Sequence, residues 1–429
     1  TQERKKAFSQ LVKKATPLDS DPHHNEVTTL LPFGRSGSLF FHSLFDGHPE
    51  VSTLPGFYLQ AWFNPSFWKE FRPLVSDQSW REILTENFVK EFEPLFDANS
   101  KKNIRGKPFG DTPWFARASG FTEMGPKHDQ ILKLDKQAFK STMLELLKPL
   151  SVIDSGGLFQ LVHQAFDIAL RGSDSSDNPK HIFYHLHHAN MLKNILLEDS
   201  FPRARFFVIT RDPVASLESW IMGFLSADIR SYETQVYAWN RLVNIIHQML
   251  TAQMRIPFST NDHRGVRLED VKRQPKVVMP QVAEWMGISD HPSLYESSFC
   301  GLQYWGPTSE KKKLVSGFDP SAIDLPIGRF FGPRDIIIFE TLFWPYSHLY
   351  GYTEVDKREF EQRLKMIRPW LEEPLEFEQK LYSDLPDHTT PIQELGPYRR
   401  LHSLMLLLWK TLDRDGTYQD IIPPLAIEK

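Results

Sequence analysis

The chain opens polar and then turns apolar. Residues 1–26 end in Asp19-Ser20-Asp21-Pro22-His23-His24 and read as a short helix followed by a loop. Val27-Thr28-Thr29-Leu30-Leu31 is β-branched and apolar without a charge, the pattern of a buried strand. Leu39 to Phe45 has helical spacing and closes at Gly47 and Pro49, so the first unit reads strand, glycine loop, helix. From Pro55 to Phe121 aromatics and prolines dominate and periodicity is weak, which predicts irregular structure with short helices. Helical spacing returns over Gln130–Leu147 and Leu158–Leu170, and a turn-rich run over Gly172–Pro179 comes next.

The second half alternates. His181–His185 is a strand candidate, Asn190–Leu197 a helix, and Arg205–Thr210 a third strand. Pro213 suits the first turn of a helix running to about Phe224. Another helix fills Glu233–Met254. A fourth strand, Gly265–Leu268, leads into a helix over Pro275–Met286, and Pro333–Leu349 is a further helix. Residues 356–429 read as mostly helical, turning apolar at Leu404–Trp409. Strands alternating with helices predict an α/β fold with a parallel sheet. There is no internal repeat.

Charge narrows the function. Against 54 Asp and Glu stand 50 Lys and Arg, a formal net charge of −4 in 429 residues. No global basic field exists to hold a nucleic acid, though a local anion site is compatible with this balance. The single cysteine, Cys300, excludes an intramolecular disulfide and a thiolate zinc cluster and favours a reducing compartment. No segment reaches the roughly 20 apolar residues of a membrane span. The Lys-rich start lacks the apolar stretch of a signal peptide, so a cytoplasmic protein is expected.

Two short constellations carry chemistry. Gly34-Arg35-Ser36-Gly37-Ser38 comes directly after the first strand. Ligands of parallel sheets bind at the carboxyl ends of strands, and a glycine lets backbone N–H groups face an anion there. Arg35 adds a full charge, and Ser36 and Ser38 add hydroxyls. The ATP-binding fingerprint G-x-x-x-x-G-K-[ST] is absent, because Gly34 and Gly37 are too close and no Lys comes after them. The second constellation is Arg211-Asp212-Pro213 with Ser219 eight residues after Arg211. An Arg at a strand end and a Ser two helical turns on can share one phosphate, or the Arg–Asp pair can simply cap a helix. His181, His185, His187 and His188 form a third group. His185 and His187 share one face of an extended chain. They suit a proton-transfer role or core hydrogen bonding better than metal ligation, since no third ligand is evident nearby.

Together the first two elements resemble the sulfotransferases that use 3′-phosphoadenosine 5′-phosphosulfate. In that family the first loop holds the 5′-phosphosulfate, and an Arg-(Asp/Asn)-Pro with a later Ser holds the 3′-phosphate. Further pieces resemble the branch with the tyrosylprotein-type and related bacterial enzymes. These are Phe201-Pro202-Arg203-Ala204-Arg205-Phe206, Leu268-Glu269-Asp270-Val271, and Ile327-Gly328-Arg329-Phe330 with a later Leu349-Tyr350-Gly351-Tyr352. The resemblance spans about 27 to 355. It implies a P-loop-like three-layer core over 27–355, a parallel sheet flanked by helices, with an N-terminal arm over 1–26 and a helical C-terminal extension over 356–429. It implies sulfuryl transfer to a hydroxyl or amine of a small-molecule, glycan or peptide acceptor, with Arg35, Ser36, Gly37 and Ser38 on the leaving 5′-phosphate, Arg211 and Ser219 on the 3′-phosphate, and no metal. His185-Leu186 resembles the pair that carries the catalytic base of the cytosolic members. His185 is therefore the first candidate base, then His187, then Glu50. Lys311, Lys312 and Lys313 precede the Gly-Arg stretch, in a loop that folds over the nucleotide in the family.

The sequence also departs from the family. Leu39 replaces a frequent second hydroxyl residue. Val51 to Gly56 lacks the glutamate of the tyrosylprotein-type enzymes. Two rivals stay open: a P-loop kinase or NTPase, against which the missing loop Lys counts, and a non-catalytic nucleotide-binding relative. Phe57, Tyr58, Trp62, Phe63, Phe67 and Trp68 read first as core and second as the lining of an acceptor pocket.

Overall fold

Among the described residues five strands form one sheet, each parallel to its neighbours. They are β1 (Glu26–Pro32), β2 (Val51–Ser52), β3 (His181–His185), β4 (Arg205–Thr210) and β5 (His263–Arg267), in the spatial order β2–β3–β1–β4–β5. The register sets Leu30 of β1 beside His185 of β3 and Phe207 of β4. This computed structural model describes residues 26–56, 59, 62–71, 79–100, 119–172, 181–186, 191–225, 232–256, 259–306, 317–323, 326–384 and 391–426, with the side chains of all of these except 191, 224–225, 232–238 and 322.

The strands read as unbroken apolar runs because both faces of the sheet are covered. Successive side chains alternate between faces. Along β4, Phe206 and Val208 join one apolar cluster, while Phe207 and Ile209 join the other. The smaller cluster holds helix α1 (Ser38–Ser43) and Pro275–Met286 against the sheet. The larger takes helix α2 (Ser155–Arg171), helix α3 (Pro213–Leu225) and helix α4 (Tyr232–Gln253). Helix, sheet and helix give the parallel α/β sheet expected from the alternating pattern and the three layers that the resemblance implies. No helix among the described residues is long and apolar enough to cross a membrane.

The aromatic stretch is core where it is described. Trp62 is fully buried among Phe67, Trp68, Phe71, Phe88 and Phe92, with ring centroids 5.4–6.0 Å away. Phe57 and Tyr58 lie outside the described residues. A regular helix over Trp80–Glu91 also stands where weak periodicity suggested shorter pieces.

Two boundaries differ from the sequence expectation for identifiable reasons. The helix expected from Gln130 begins at Lys136, because the Asp135 carboxylate accepts hydrogen bonds from the N–H groups of Gln137 and Ala138. Upstream, residues 130 and 132 are used in pairing, Met124 N–H donating to Gln130 O at 2.8 Å and Ala98 N–H to Leu132 O at 3.1 Å. The helix expected over Pro333–Leu349 is two, Pro333–Leu342 and Trp344–Leu349. Pro345 has no N–H to continue the ladder.

Past residue 356 the chain is helical, over Lys357–Ile367, Glu376–Ser383 and Gly396–Asp415. Leu401, Met405 and Leu408 of the last helix share one cluster with Leu242, Ile246 and Met249 of α4. The segment after it returns to the sheet. Leu425 N–H donates to Gly265 O at 2.7 Å, and Gly265 N–H to Pro423 O at 3.0 Å, along the outer edge of β5. Gly265 is required here, since a Cβ would fall 2.0 Å from the Tyr350 hydroxyl oxygen.

Candidate active site

The loop between β1 and α1 is built to turn. Arg35 and Gly37 both lie in the left-handed region, at φ 56° and 70°. A left-handed residue beside right-handed ones curls successive N–H groups into a concavity that suits an anion. Gly34 has a different task. A Cβ there would meet the Trp220 ring at 2.0 Å, so the glycine lets the loop lie against α3. Arg35 is exposed, Gly37, Ser38 and Leu39 are half-buried, and Ser36 is buried. The Ser36 hydroxyl has no hydrogen-bond partner among the described residues. A buried hydroxyl in that state is costly unless something else accepts its proton.

The second constellation comes to the same edge. Arg211 leaves the end of β4 and is buried; its Nη2 donates to Ile323 O at 3.4 Å. Asp212 caps α3, its carboxylate accepting from Ala215 N–H at 2.8 Å, and burial pushes its pKa up. Two turns along, Ser219 Oγ accepts a long hydrogen bond from Arg35 Nε at 3.5 Å. The structure therefore joins the two motifs across 184 residues of sequence. Behind them Glu269, its pKa raised by burial, accepts from the Tyr352 hydroxyl at 3.0 Å.

The histidines divide. His185 ends β3, fully buried, with its ring edge-on to His42 of α1 at 5.5 Å between centroids. His42 Nε2 is bonded to Thr53 Oγ1, and the Thr53 hydroxyl donates to Phe183 O at 3.1 Å. That direction makes His42 Nε2 the donor and leaves Nδ1 without its proton. Burial, then the nearby His185 and His163, holds the His42 pKa well below the usual imidazole range. His163 of α2 shares a hydrogen bond with Ser52 at 3.1 Å, and burial pushes it down to about 3. Asp167, one turn on, is pushed up by burial to about 6. His187 and Lys311–Lys313 lie outside the described residues.

Glu50 stands elsewhere. Its carbonyl accepts from His181 N–H at 3.2 Å and its carboxylate from Ser289 N–H at 3.0 Å. His181 begins β3, so Glu50 sits at the amino edge of a parallel sheet whose carboxyl edge carries the Arg35 loop. Helix α1 runs back along the sheet and delivers the residues after it to the far edge.

Sequence reasoning passed over two kinds of residue. His42, Ser52, Thr53 and His163 meet only through tertiary packing, although Ser52 and Thr53 fall in the stretch singled out for its missing glutamate. Glu218, beside Ser219, is fully buried, and its Oε1 accepts from the N–H groups of Gly328, Phe330 and Phe331 at 3.0, 3.0 and 2.9 Å. It thereby draws the Gly-Arg stretch to α3. Among the described residues no group of three or more His, Cys, Asp or Glu side chains is arranged to hold a metal ion.

Helices cover both faces of a parallel sheet whose carboxyl edge carries the Arg35 loop and the buried Arg211, and ligands of such sheets bind at that edge. The particular family emerges from comparison: residues 31–292 match the model of the sulfotransferase family, and the chain belongs to that family. No curated protein matches the chain. Among solved structures it is similar to the sulfotransferase domain of the curacin biosynthetic pathway, at 12% identity over 72% of this chain and 95% of that one, with a TM-score of 0.35. It is similar also to the sulfotransferase domain of the Synechococcus PCC 7002 olefin synthase, at 13% identity over 72% and 90%, TM-score 0.35. A third is sulfotransferase STF9 from Mycobacterium avium, at 15% identity over 68% and 70%, TM-score 0.30.

Proposed function

We propose that the chain moves a sulfuryl group from 3′-phosphoadenosine 5′-phosphosulfate to a hydroxyl or amine of an acceptor. The observation that carries this reading is the meeting of Arg35 with Ser219, which brings a phosphosulfate-type loop and a second phosphate-type group to one edge of the sheet. The chemistry of the donors fits two anionic groups. Arg35, Ser36, Gly37 and Ser38 serve the 5′ end, where the unpartnered Ser36 hydroxyl and the turned backbone supply N–H and O–H donors. Arg211 and Ser219 serve the 3′-phosphate, the arginine by two parallel bonds and the serine by one.

Sulfuryl transfer builds negative charge on the bridging oxygen of the leaving phosphate as the S–O bond breaks. A fixed cation beside that oxygen stabilises the transition state more than the bound donor. Arg35 has that role. The acceptor oxygen loses its proton as its bond to sulfur forms, and His185 is assigned to take it, with His187 second. The His185 ring is sealed from solvent by its neighbours, so this assignment requires acceptor binding to open the ring's surroundings.

Titration calorimetry with adenosine 3′,5′-bisphosphate against ATP tests the donor. Tighter binding of the bisphosphate is expected, and equal or tighter binding of ATP would overturn the reading. Turnover of the sulfated donor with a panel of phenols, alcohols and amines then tests transfer itself.

A further inference from the structure

Two buried charges hold the chain segments that border the proposed donor site. The first is Glu218, one residue before Ser219. Besides the three bonds to Oε1, its Oε2 accepts from Gly328 N–H at 3.1 Å and lies 3.9 Å from Arg329 Nε. The second is Lys272 on helix α5 (Leu268–Arg273), also buried. Its ammonium donates to Gly317 O at 2.8 Å and Asp319 O at 3.2 Å, and lies 4.4 Å from the centre of the Phe40 ring. Phe318 packs edge-on against the same ring at 5.1 Å. The Asp319 carboxylate closes the next turn through Ser321 N–H at 2.9 Å, and Ile323 O meets Arg211. The acid therefore ties the Gly328–Phe331 amides to α3 one residue before Ser219, and the base ties down the segment whose Ile323 carbonyl meets Arg211.

A carboxylate next to a phosphate site is an odd choice. It repels the ligand and loses its own hydration on burial. Glu218 tolerates both because three N–H groups and an arginine neutralise it locally. Its Oε1 takes three N–H groups and its side chain is sealed from solvent, away from any substrate. What remains is its grip on the backbone.

We infer that Glu218 is a positioning residue of the donor site. It fixes the Gly328–Phe331 backbone beside Ser219, and Lys272 fixes Gly317–Ile323 beside Arg211. The affinity for the 3′-phosphate thus depends on two buried charges that do not touch it. This rests on the donor reading above.

The test uses the full chain and two readouts. Hydrogen exchange without ligand tracks the amides of Gly328, Phe330 and Phe331. Calorimetry compares adenosine 3′,5′-bisphosphate with adenosine 5′-monophosphate. Glu218→Gln keeps one acceptor oxygen and should weaken the bisphosphate by about tenfold, and Glu218→Ala by about a hundredfold, in line with the cost of small misplacements. The monophosphate should change by less than about threefold, since it lacks the group whose site is disturbed. Exchange at the three amides should quicken in both variants. Lys272→Met should lower the same preference while quickening exchange at Ser321 and Ile323. If exchange quickens but the bisphosphate preference stays parental, Glu218 is structural only and the inference falls while the donor reading stands. If the parent itself shows no bisphosphate preference, the donor reading falls and takes the inference with it. Should Glu218→Ala fail to fold, Glu218→Gln and Lys272→Met decide, and parental preferences in both overturn the inference.

Discussion

The Arg35 loop and the histidine cluster flank the same short helix, yet they manage polarity in opposite ways. Arg35 keeps its guanidinium exposed, and Ser36 beside it holds a buried hydroxyl without a protein partner among the described residues. His42, His163 and His185 are buried, and burial drives His42 and His163 toward the neutral form. One region presents a full positive charge and a buried hydroxyl at the carboxyl edge of the sheet. The other buries imidazoles, and burial holds two of them in the neutral form. The proposed sulfuryl transfer calls for both, because a permanent cation stabilises the leaving group and only a neutral base can take a proton.

The contrast breaks first at Arg35. Arg35→Ala should lower turnover by about a hundred- to a thousandfold, the usual cost of losing a donor aimed at developing charge. Bisphosphate affinity should fall less, and equal losses in steady-state rate and calorimetric affinity would make Arg35 a binding residue only. His185→Ala should cut turnover by about a hundredfold with nucleotide binding intact. A fully active variant would remove the base from this cluster. Arg211→Ala should weaken bisphosphate binding by about ten- to a hundredfold, as expected of charge-assisted bonds worth roughly 1.5–3 kcal/mol each, and Ser219→Ala by a smaller factor. Parental affinities in both would move the 3′-phosphate elsewhere.

The smallest effect is on stability and sharpens the contrast through pH. His163 falls from an ordinary 6.5 to about 3 in the folded chain. Between those values the unfolded chain binds a proton that the folded chain does not, so its contribution is present above 6.5 and drains as pH falls toward 3. Asp167 rises from 3.8 to about 6, so its contribution is present below 3.8 and drains as pH climbs through 6. Urea unfolding at several pH values should show His163→Gln flattening the acid-side loss and Asp167→Asn flattening the opposing one. Parallel curves for parent and His163→Gln would place that imidazole in a wetter site.

The sheet was legible because strands covered on both faces leave uninterrupted runs, as in Arg205–Thr210 and His181–His185. Helix ends were less so where one side chain decides them, as Asp135 and Pro345 do. Arg35 and Arg211 stood out through residue type at strand ends. Glu218 did not, since nothing local to it announces that its carboxylate accepts from amides 110 to 113 positions later. Glu50 misled for a geometric reason. It is close in sequence to the loop, but a helix returning along a parallel sheet carries the residues beyond it to the opposite edge.

The pairing of residues 423–425 with Gly265 has a consequence for handling the molecule. An outermost strand is a template on which a second molecule can add its own strand, and here the chain occupies that template itself. The three residues work as a guard against self-association as much as a contributor to folding. A chain cut before Asp420 should therefore betray itself first by light scattering and early elution on size exclusion, before any large change in melting temperature. A fusion partner joined close behind Leu425 would strain the same guard.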